Sequence, residues 1–129
     1  MSTVTVLIPA AGIGRRMGKA VAKQFLPLGD KPLLAHTILA FQRSPEIDEI
    51  IPILSPEDRE ACLRNIIEPY HLTKVKKLVA GGKERQDSVY HGIMQLGADV
   101  AIVLVHDGVR PFASAAMIAQ CVDHARKGA

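Results

Sequence analysis

Aromatic residues are scarce in this sequence: they make up 4% of its 129 residues, and there is no tryptophan. The core must therefore be built mostly from aliphatic side chains, as in parallel sheets covered by helices. Cysteine is also rare. Cys62 and Cys121 are far apart and form no CxxC pair, which excludes a dense disulfide framework and favours a cytoplasmic protein with free thiols.

Several other features are missing. The first residues lack the basic region and long apolar run of a signal peptide, and no stretch is long enough to span a membrane. The net charge is only +3, without a basic stripe interleaved with aromatic residues, so we expect no nucleic acid partner. The basic residues cluster only at Arg15, Arg16, Lys19 and Lys23, a group that suits a small polyphosphate.

Short apolar runs alternate with segments of helical periodicity. Strands are predicted at residues 4–8, 49–54, 75–79 and 101–105, and helices at 32–41, 55–67, 85–96 and 114–126. This alternation predicts an α/β fold with a Rossmann-like parallel sheet and helices on both faces. The fourth strand is apolar throughout, so we expect it to be central.

In such a sheet the carboxyl ends of the strands share one edge, where ligands bind. Three loops should therefore meet there, at residues 9–23, 80–85 and 106–111. The first follows a strand directly and is rich in small residues, so its backbone N–H groups can form an anion-binding nest. It fails the Walker A pattern because one residue too many separates Gly12 from Gly18, and the dinucleotide fingerprint because Met17 replaces the third glycine.

The three loops carry motifs that resemble those of the 2-C-methyl-D-erythritol 4-phosphate cytidylyltransferase family. These motifs are P-A-A-G-I-G-R-R-M-G at residues 9–18 with K-Q-F-L at 23–26, G-G-K-E-R-Q-D-S-V at 81–89, and V-H-D-G-V-R-P at 105–111. The resemblance implies a nucleotide-diphospho-sugar transferase type of fold, here truncated. Residues 1–129 correspond to the CTP-binding part, without the C-terminal part that carries the arm used in homodimer formation.

The reaction that the resemblance implies is cytidylyl transfer from CTP to a sugar-alcohol phosphate in isoprenoid synthesis, with Mg²⁺ as cofactor. Arg16 and Lys23 match the family's two transition-state stabilisers. The implied CTP-binding residues are Pro9, Ala10, Ala11, Gly12, Gly14, Arg15, Gly82, Lys83, Arg85, Ser88, Asp107 and Gly108. Asp107 is also the candidate metal ligand, since Mg²⁺ prefers carboxylates together with substrate phosphates.

Some roles stay open at this point. Ser88 is predicted to bond the cytosine base, with capping of a helix turn as the alternative. Arg85 and Asp87 contact the ligand or pair with each other. Of the five histidines, only His106 is expected near the site, in a structural role. Three functions compete: methylerythritol phosphate cytidylyltransferase, ribitol 5-phosphate cytidylyltransferase, and a nucleotide-binding fragment without catalysis.

Overall fold

The structure is a computed structural model that describes residues 3–10, 27–28, 31–82, 84–106 and 115–127. Its strands are β1 (Thr3–Pro9), β2 (Pro27–Leu28), β3 (Lys31–Pro32), β4 (Glu49–Leu54), β5 (Val79–Ala80) and β6 (Val100–Val105). Its helices are α1 (Leu33–Gln42), α2 (Arg59–Cys62), α3 (Arg85–Met94) and α4 (Ala115–Arg126). The 3₁₀ turn Pro56–Asp58 precedes α2 and the π-helical segment Leu63–Ile67 follows it.

Four of the strands form one sheet in the order β5-β4-β1-β6, and every pairing in it is parallel. The predicted parallel α/β sheet is therefore confirmed. The short strands β2 and β3, which the sequence pattern did not predict, form a separate antiparallel ladder. Of the helices in the described ranges, none has the length and apolar character needed to cross a membrane.

Alternate residues of β1 and β4 point to opposite faces, and both faces are covered. On one face, Val4, Val6 and Ile8 pack into the cluster that includes residues of α1 and α4. On the other face, Leu7, Ile51 and Ile53 form a smaller cluster with Val89 of α3. Gly92 lets α3 lie close to the sheet, because a Cβ there would stand only 2.8 Å from Cδ1 of Ile53. The predicted arrangement of helices on both faces is thus confirmed.

The third predicted strand is much shorter than expected. Only Val79 and Ala80 pair with β4, together with an isolated bridge from Ile50 to Val75. The N–H of Ile50 donates to Lys74 on this side of β4. The N–H groups of a strand point alternately to its two sides, so the next donor on the β5 side of β4 would be residue 52. That residue is Pro52, and proline has no N–H. Pro52 therefore interrupts the ladder.

The prediction that the fourth strand is central was wrong for the described residues, in which β6 pairs only with β1 and lies at the sheet edge. Its residue Ile102 is buried, whereas Val103 and Val105 on the opposite face are 38% and 43% exposed. An apolar run shows that a strand can be buried on both faces. It does not show which strands or helices will cover those faces.

Only one of the two cysteines is a packing residue of the core. Cys62 is fully buried, whereas the thiol of Cys121 is exposed. Burial, with a smaller contribution from the nearby Asp58 carboxylate, raises the pKa of the Cys62 thiol to about 12. Because only the thiolate is a good nucleophile, Cys62 stays unreactive at neutral pH.

The exposed apolar face of β6 leads to a prediction for the 129-residue chain on its own. An uncovered apolar edge strand favours association with other chains, so we expect this chain to self-associate. The substitution Val103→Lys should raise the monomer fraction, because a lysine at an edge strand opposes pairing. Light scattering over a range of protein concentrations measures the effect.

The matched control is Leu63→Lys, which adds the same charge at a position of similar exposure, 42%, away from the sheet. This control should leave the association unchanged. A monodisperse monomer of the unmodified chain would contradict the prediction.

Candidate nucleotide-binding site

The three loops named in the sequence start at the same edge of the sheet. Each begins with a backbone hydrogen bond to a neighbouring strand that continues the parallel ladder. Ala10 N–H donates to Ile53 at 2.8 Å, Gly81 N–H to Leu54 at 2.8 Å, and His106 N–H to Leu7 at 3.0 Å. The loops therefore leave the carboxyl ends of β1, β5 and β6 at one edge of the sheet, which is where open α/β sheets bind ligands.

The start of the first loop belongs to the sheet. Pro9 and Ala10 are buried, proline has no N–H, and the N–H of Ala10 is already bonded to Ile53. Backbone donors for a phosphate must therefore come from beyond residue 10. The other predicted residues of this loop lie outside the described residues and stay predictions: Ala11, Gly12, Gly14, Arg15, Arg16 and Lys23.

The second loop is held against the first turn of α3. The N–H of Gly82 donates to Oγ of Ser88 at 3.1 Å, and Ser88 is only 2% exposed. A Cβ at Gly82 would clash with Cβ of Asp87, so the loop backbone lies directly on the helix. Glycine is required here for close approach rather than for a positive φ. The position of Lys83 is not described.

Ser88 thus takes part in a local structural bond to the loop, which differs from the helix-turn capping left open for it. Its hydroxyl oxygen accepts from Gly82, which leaves the hydroxyl hydrogen as the group that it can offer to a ligand. The predicted contact with the base is compatible with this arrangement if Ser88 is the donor. That contact stays a prediction.

A capping box, which the sequence reasoning missed, begins α3. The side chain of Glu84 accepts from the backbone of Asp87, and Oδ2 of Asp87 accepts from the N–H of Glu84 at 3.1 Å. The signal was two acidic residues three positions apart before an apolar helical period. Asp87 therefore shapes the loop through Glu84. Arg85 is the exposed first residue of α3, and its predicted contact with CTP stays a prediction.

A second histidine, His91, also lies at the site, whereas the sequence predicted that only His106 would be near it. Nδ1 of His91 is 3.0 Å from the carbonyl oxygen of Ala80, at the start of the second loop. His91 is one helical turn beyond Asp87, so both side chains reach the loop from the same side of α3. The fold was needed to see this, because 11 residues separate the two partners.

The third loop begins at His106, whose ring packs edge-on against Phe41 with 5.1 Å between the ring centroids. This contact supports the structural role predicted for it. Asp107 and Gly108 lie outside the described residues. Within the part of the chain that the structure describes, no cluster of three His, Cys, Asp or Glu side chains is placed to hold a metal ion.

An open parallel sheet with three loops gathered at its carboxyl edge defines the class of nucleotide-binding α/β folds. Comparison with known proteins narrows this class. The family model for 2-C-methyl-D-erythritol 4-phosphate cytidylyltransferase matches residues 4–129. The chain belongs to this family.

Individual relatives agree with the family match. The chain is 52% identical over 126 residues to the 2-C-methyl-D-erythritol 4-phosphate cytidylyltransferase of Syntrophotalea carbinolica, covering 97% of this chain and 54% of the relative. It is 44% identical over 122 residues to the enzyme of the same name from Alkaliphilus metalliredigens, covering 95% and 51%. The chain spans about half the length of the curated relatives that it matches.

The fold also resembles solved structures of this family. The crystal structure of 4-diphosphocytidyl-2C-methyl-D-erythritol synthase from Anaerococcus prevotii superimposes with a TM-score of 0.81 at 29% sequence identity. The match covers 98% of this chain and 52% of that one. The predicted fold type, a nucleotidyltransferase α/β sheet, is confirmed.

The packing of Gly82 on α3 can be tested by Gly82→Ala. The added Cβ would clash with Asp87, so the loop or the first helical turn must shift. We expect the free energy of unfolding in urea to fall by about 1–3 kcal/mol, the usual cost of overpacking. The control is Gly97→Ala, where the closest atom is a carboxylate oxygen of Asp99 that can rotate away. Equal stabilities of the two variants would contradict this account.

Proposed function

We propose that this chain provides the CTP-binding half of a cytidylyltransferase acting on 2-C-methyl-D-erythritol 4-phosphate. One observation carries the proposal: the three motif segments that resemble the family all start at a single edge of the sheet, through the backbone bonds of Ala10, Gly81 and His106. The family match over residues 4–129 supports the same function.

In the proposed reaction, a phosphate oxygen of the acceptor attacks the α-phosphorus of CTP. The bond from this phosphorus to the bridging oxygen breaks, pyrophosphate leaves, and a CDP-alcohol forms. The attacking oxygen is already an anion, so a general base contributes little. The barrier lies in bringing anions together and in the charge on the five-coordinate phosphorus, so catalysis relies on positioning and electrostatics.

Arg16 and Lys23 are the residues proposed to stabilise that charge. Arginine presents a planar fork to two nonbridging oxygens, while lysine provides a compact point charge. Ala11, Gly12 and Gly14 are proposed to contact the phosphates through the backbone. The burial of Pro9 and Ala10 in the sheet supports this division, because it leaves the phosphate donors to the residues that follow.

Ser88 is proposed to read the base. Its oxygen accepts from Gly82, so its hydroxyl hydrogen is the group that it can donate to the base. Cytosine offers an acceptor at N3, where uracil has an N–H, so a donor at this place favours CTP over UTP. Gly82, Lys83 and Arg85 are proposed to complete the base side of the site.

Asp107 is the proposed ligand for Mg²⁺, and Gly108 the adjoining CTP contact. Asp107 directly follows His106, whose N–H is bonded to Leu7 near the end of β1, the strand that the phosphate loop at residues 9–23 follows. A carboxylate is a suitable hard donor, and the ion would neutralise phosphate charge when bound. The acceptor phosphate and the homodimer are carried over from the family resemblance, and the cytoplasmic location from the two unpaired cysteines in the sequence, as further parts of the proposal.

A second candidate is a nucleotide-binding fragment without turnover. The observation that favours it is the coverage of the relatives, of which this chain spans about half. A turnover assay on the 129-residue chain with CTP, Mg²⁺ and methylerythritol phosphate separates the two. We expect pyrophosphate release if the chain is catalytic, and CTP binding without release if it only binds. Failure to bind CTP at all would overturn both. Ribitol 5-phosphate as the acceptor is tested in a parallel reaction.

The roles of Arg16 and Lys23 predict the effect of removing each charge. Arg16→Ala and Lys23→Ala should each lower the rate of pyrophosphate release roughly a hundredfold, about 3 kcal/mol of lost transition-state stabilisation. Lys19→Ala removes a charge from the same loop at a residue that is not matched to the family's site, so it serves as the control, with a rate close to that of the unmodified chain. If the chain binds CTP without turnover, the same comparison is made on CTP affinity. Equal effects of all three substitutions would contradict the assigned roles.

A further inference from the structure

We propose that Asp87 and His91 are positioning residues for recognition of the nucleobase. They act through the backbone of the base loop, defined here as Ala80, Gly81, Gly82 and Glu84. The inference rests on the proposed function, because it assumes that this loop faces the base of CTP.

The first step is that the base loop is attached to α3 at three separate points. Oδ2 of Asp87 accepts from the N–H of Glu84 at 3.1 Å. Nδ1 of His91 lies 3.0 Å from the carbonyl oxygen of Ala80, at the other end of the loop. Between them, Oγ of Ser88 accepts from the N–H of Gly82 at 3.1 Å. The helix therefore holds the beginning, the middle and the end of the loop.

The second step is that α3 is itself closely packed on the sheet. Gly92 faces Ile53 and Leu7, and a Cβ there would be 2.8 Å from Ile53 and 3.2 Å from Leu7. The loop is also bonded to the sheet directly, since Gly81 N–H donates to Leu54 at 2.8 Å. A continuous set of contacts therefore links the buried strands to the loop through the helix.

The third step concerns discrimination. Cytosine and uracil differ only in the donors and acceptors at N3 and C4, so telling them apart requires loop groups that are held to within about 0.5 Å. Asp87 accepts from a main-chain N–H, and the ring of His91 contacts a main-chain carbonyl. Asp87 also packs so closely on Gly82 that no side chain fits there. Both side chains therefore set the height of the loop above the helix.

The phosphate loop after β1 provides an internal reference. Its first residue after the strand, Ala10, is bonded to Ile53 of β4, and neither Asp87 nor His91 takes part in that bond. Loss of these two side chains should therefore weaken recognition of the base while leaving binding of phosphate groups unchanged. A general loss of folding would instead weaken both.

The test measures dissociation constants for CTP, UTP and inorganic triphosphate by titration calorimetry on the 129-residue chain. We expect Asp87→Ala to weaken CTP binding about tenfold, the scale of one lost charge-assisted hydrogen bond. The ratio of UTP to CTP dissociation constants should fall, and the affinity for triphosphate should not change. His91→Ala should change the same ratio in the same direction. Asp87→Asn keeps an acceptor oxygen and should restore most of the discrimination.

Gln86→Ala is the matched control, since Gln86 is exposed on the same turn of α3. Amide hydrogen exchange gives a second readout that needs no ligand. Exchange at Glu84 should become faster in Asp87→Ala, whereas Gln86→Ala should leave it unchanged.

The outcomes are distinguishable. Faster amide exchange at Glu84 in Asp87→Ala, together with a lower ratio of the UTP to the CTP dissociation constant, supports the inference. A folded Asp87→Ala chain that keeps the ratio of the unmodified protein would overturn it and leave the proposed function intact. An unmodified chain that binds triphosphate but shows no preference for CTP over UTP would overturn both the cytosine selectivity and this inference.

Discussion

The central strand β1 is the element on which the rest of the described structure depends. It pairs in parallel with β4 on one side and β6 on the other, and its residues Val6, Leu7 and Ile8 are completely buried. Because both of its faces are covered, its side chains take part in both core clusters. The backbone bonds that follow from these pairings also set the starting points of the loops after β1 and β6. Packing and site geometry therefore have the same physical origin.

The loops at this edge are secured in different ways. The loop after β1 starts with a residue whose N–H is already bonded to the sheet, so the backbone donors proposed for the phosphates come later in the chain. The base loop after β5 depends instead on α3, whose Asp87, Ser88 and His91 reach back to its main chain. Under the proposed function, such a site can vary its base-recognition part without disturbing its phosphate-binding part, because the two parts are held by different contacts.

Much of the architecture could be predicted from local patterns. The β-branched run before Pro9 predicted β1, and the boundaries of β4 agreed with the prediction at both ends. Predictions failed where the outcome depended on a neighbouring strand. Pro52 shortened β5 because a proline on one strand removes a hydrogen bond needed by the next. The position of β6 in the sheet also depends on which strands pair with it, and the composition of β6 does not identify those strands.

The sequence by itself determined the alternation of strands and helices, the aliphatic core and the three motifs that identify the family, because these depend on residue type and spacing along the chain. Only the tertiary structure decided that the N–H of Ala10 belongs to the sheet and that His91 lies beside Ala80. It also decided that Asp87 excludes any side chain at position 82. The physical reason is that such contacts join residues through space, where a difference of an ångström in the packing of a helix determines which polar groups meet.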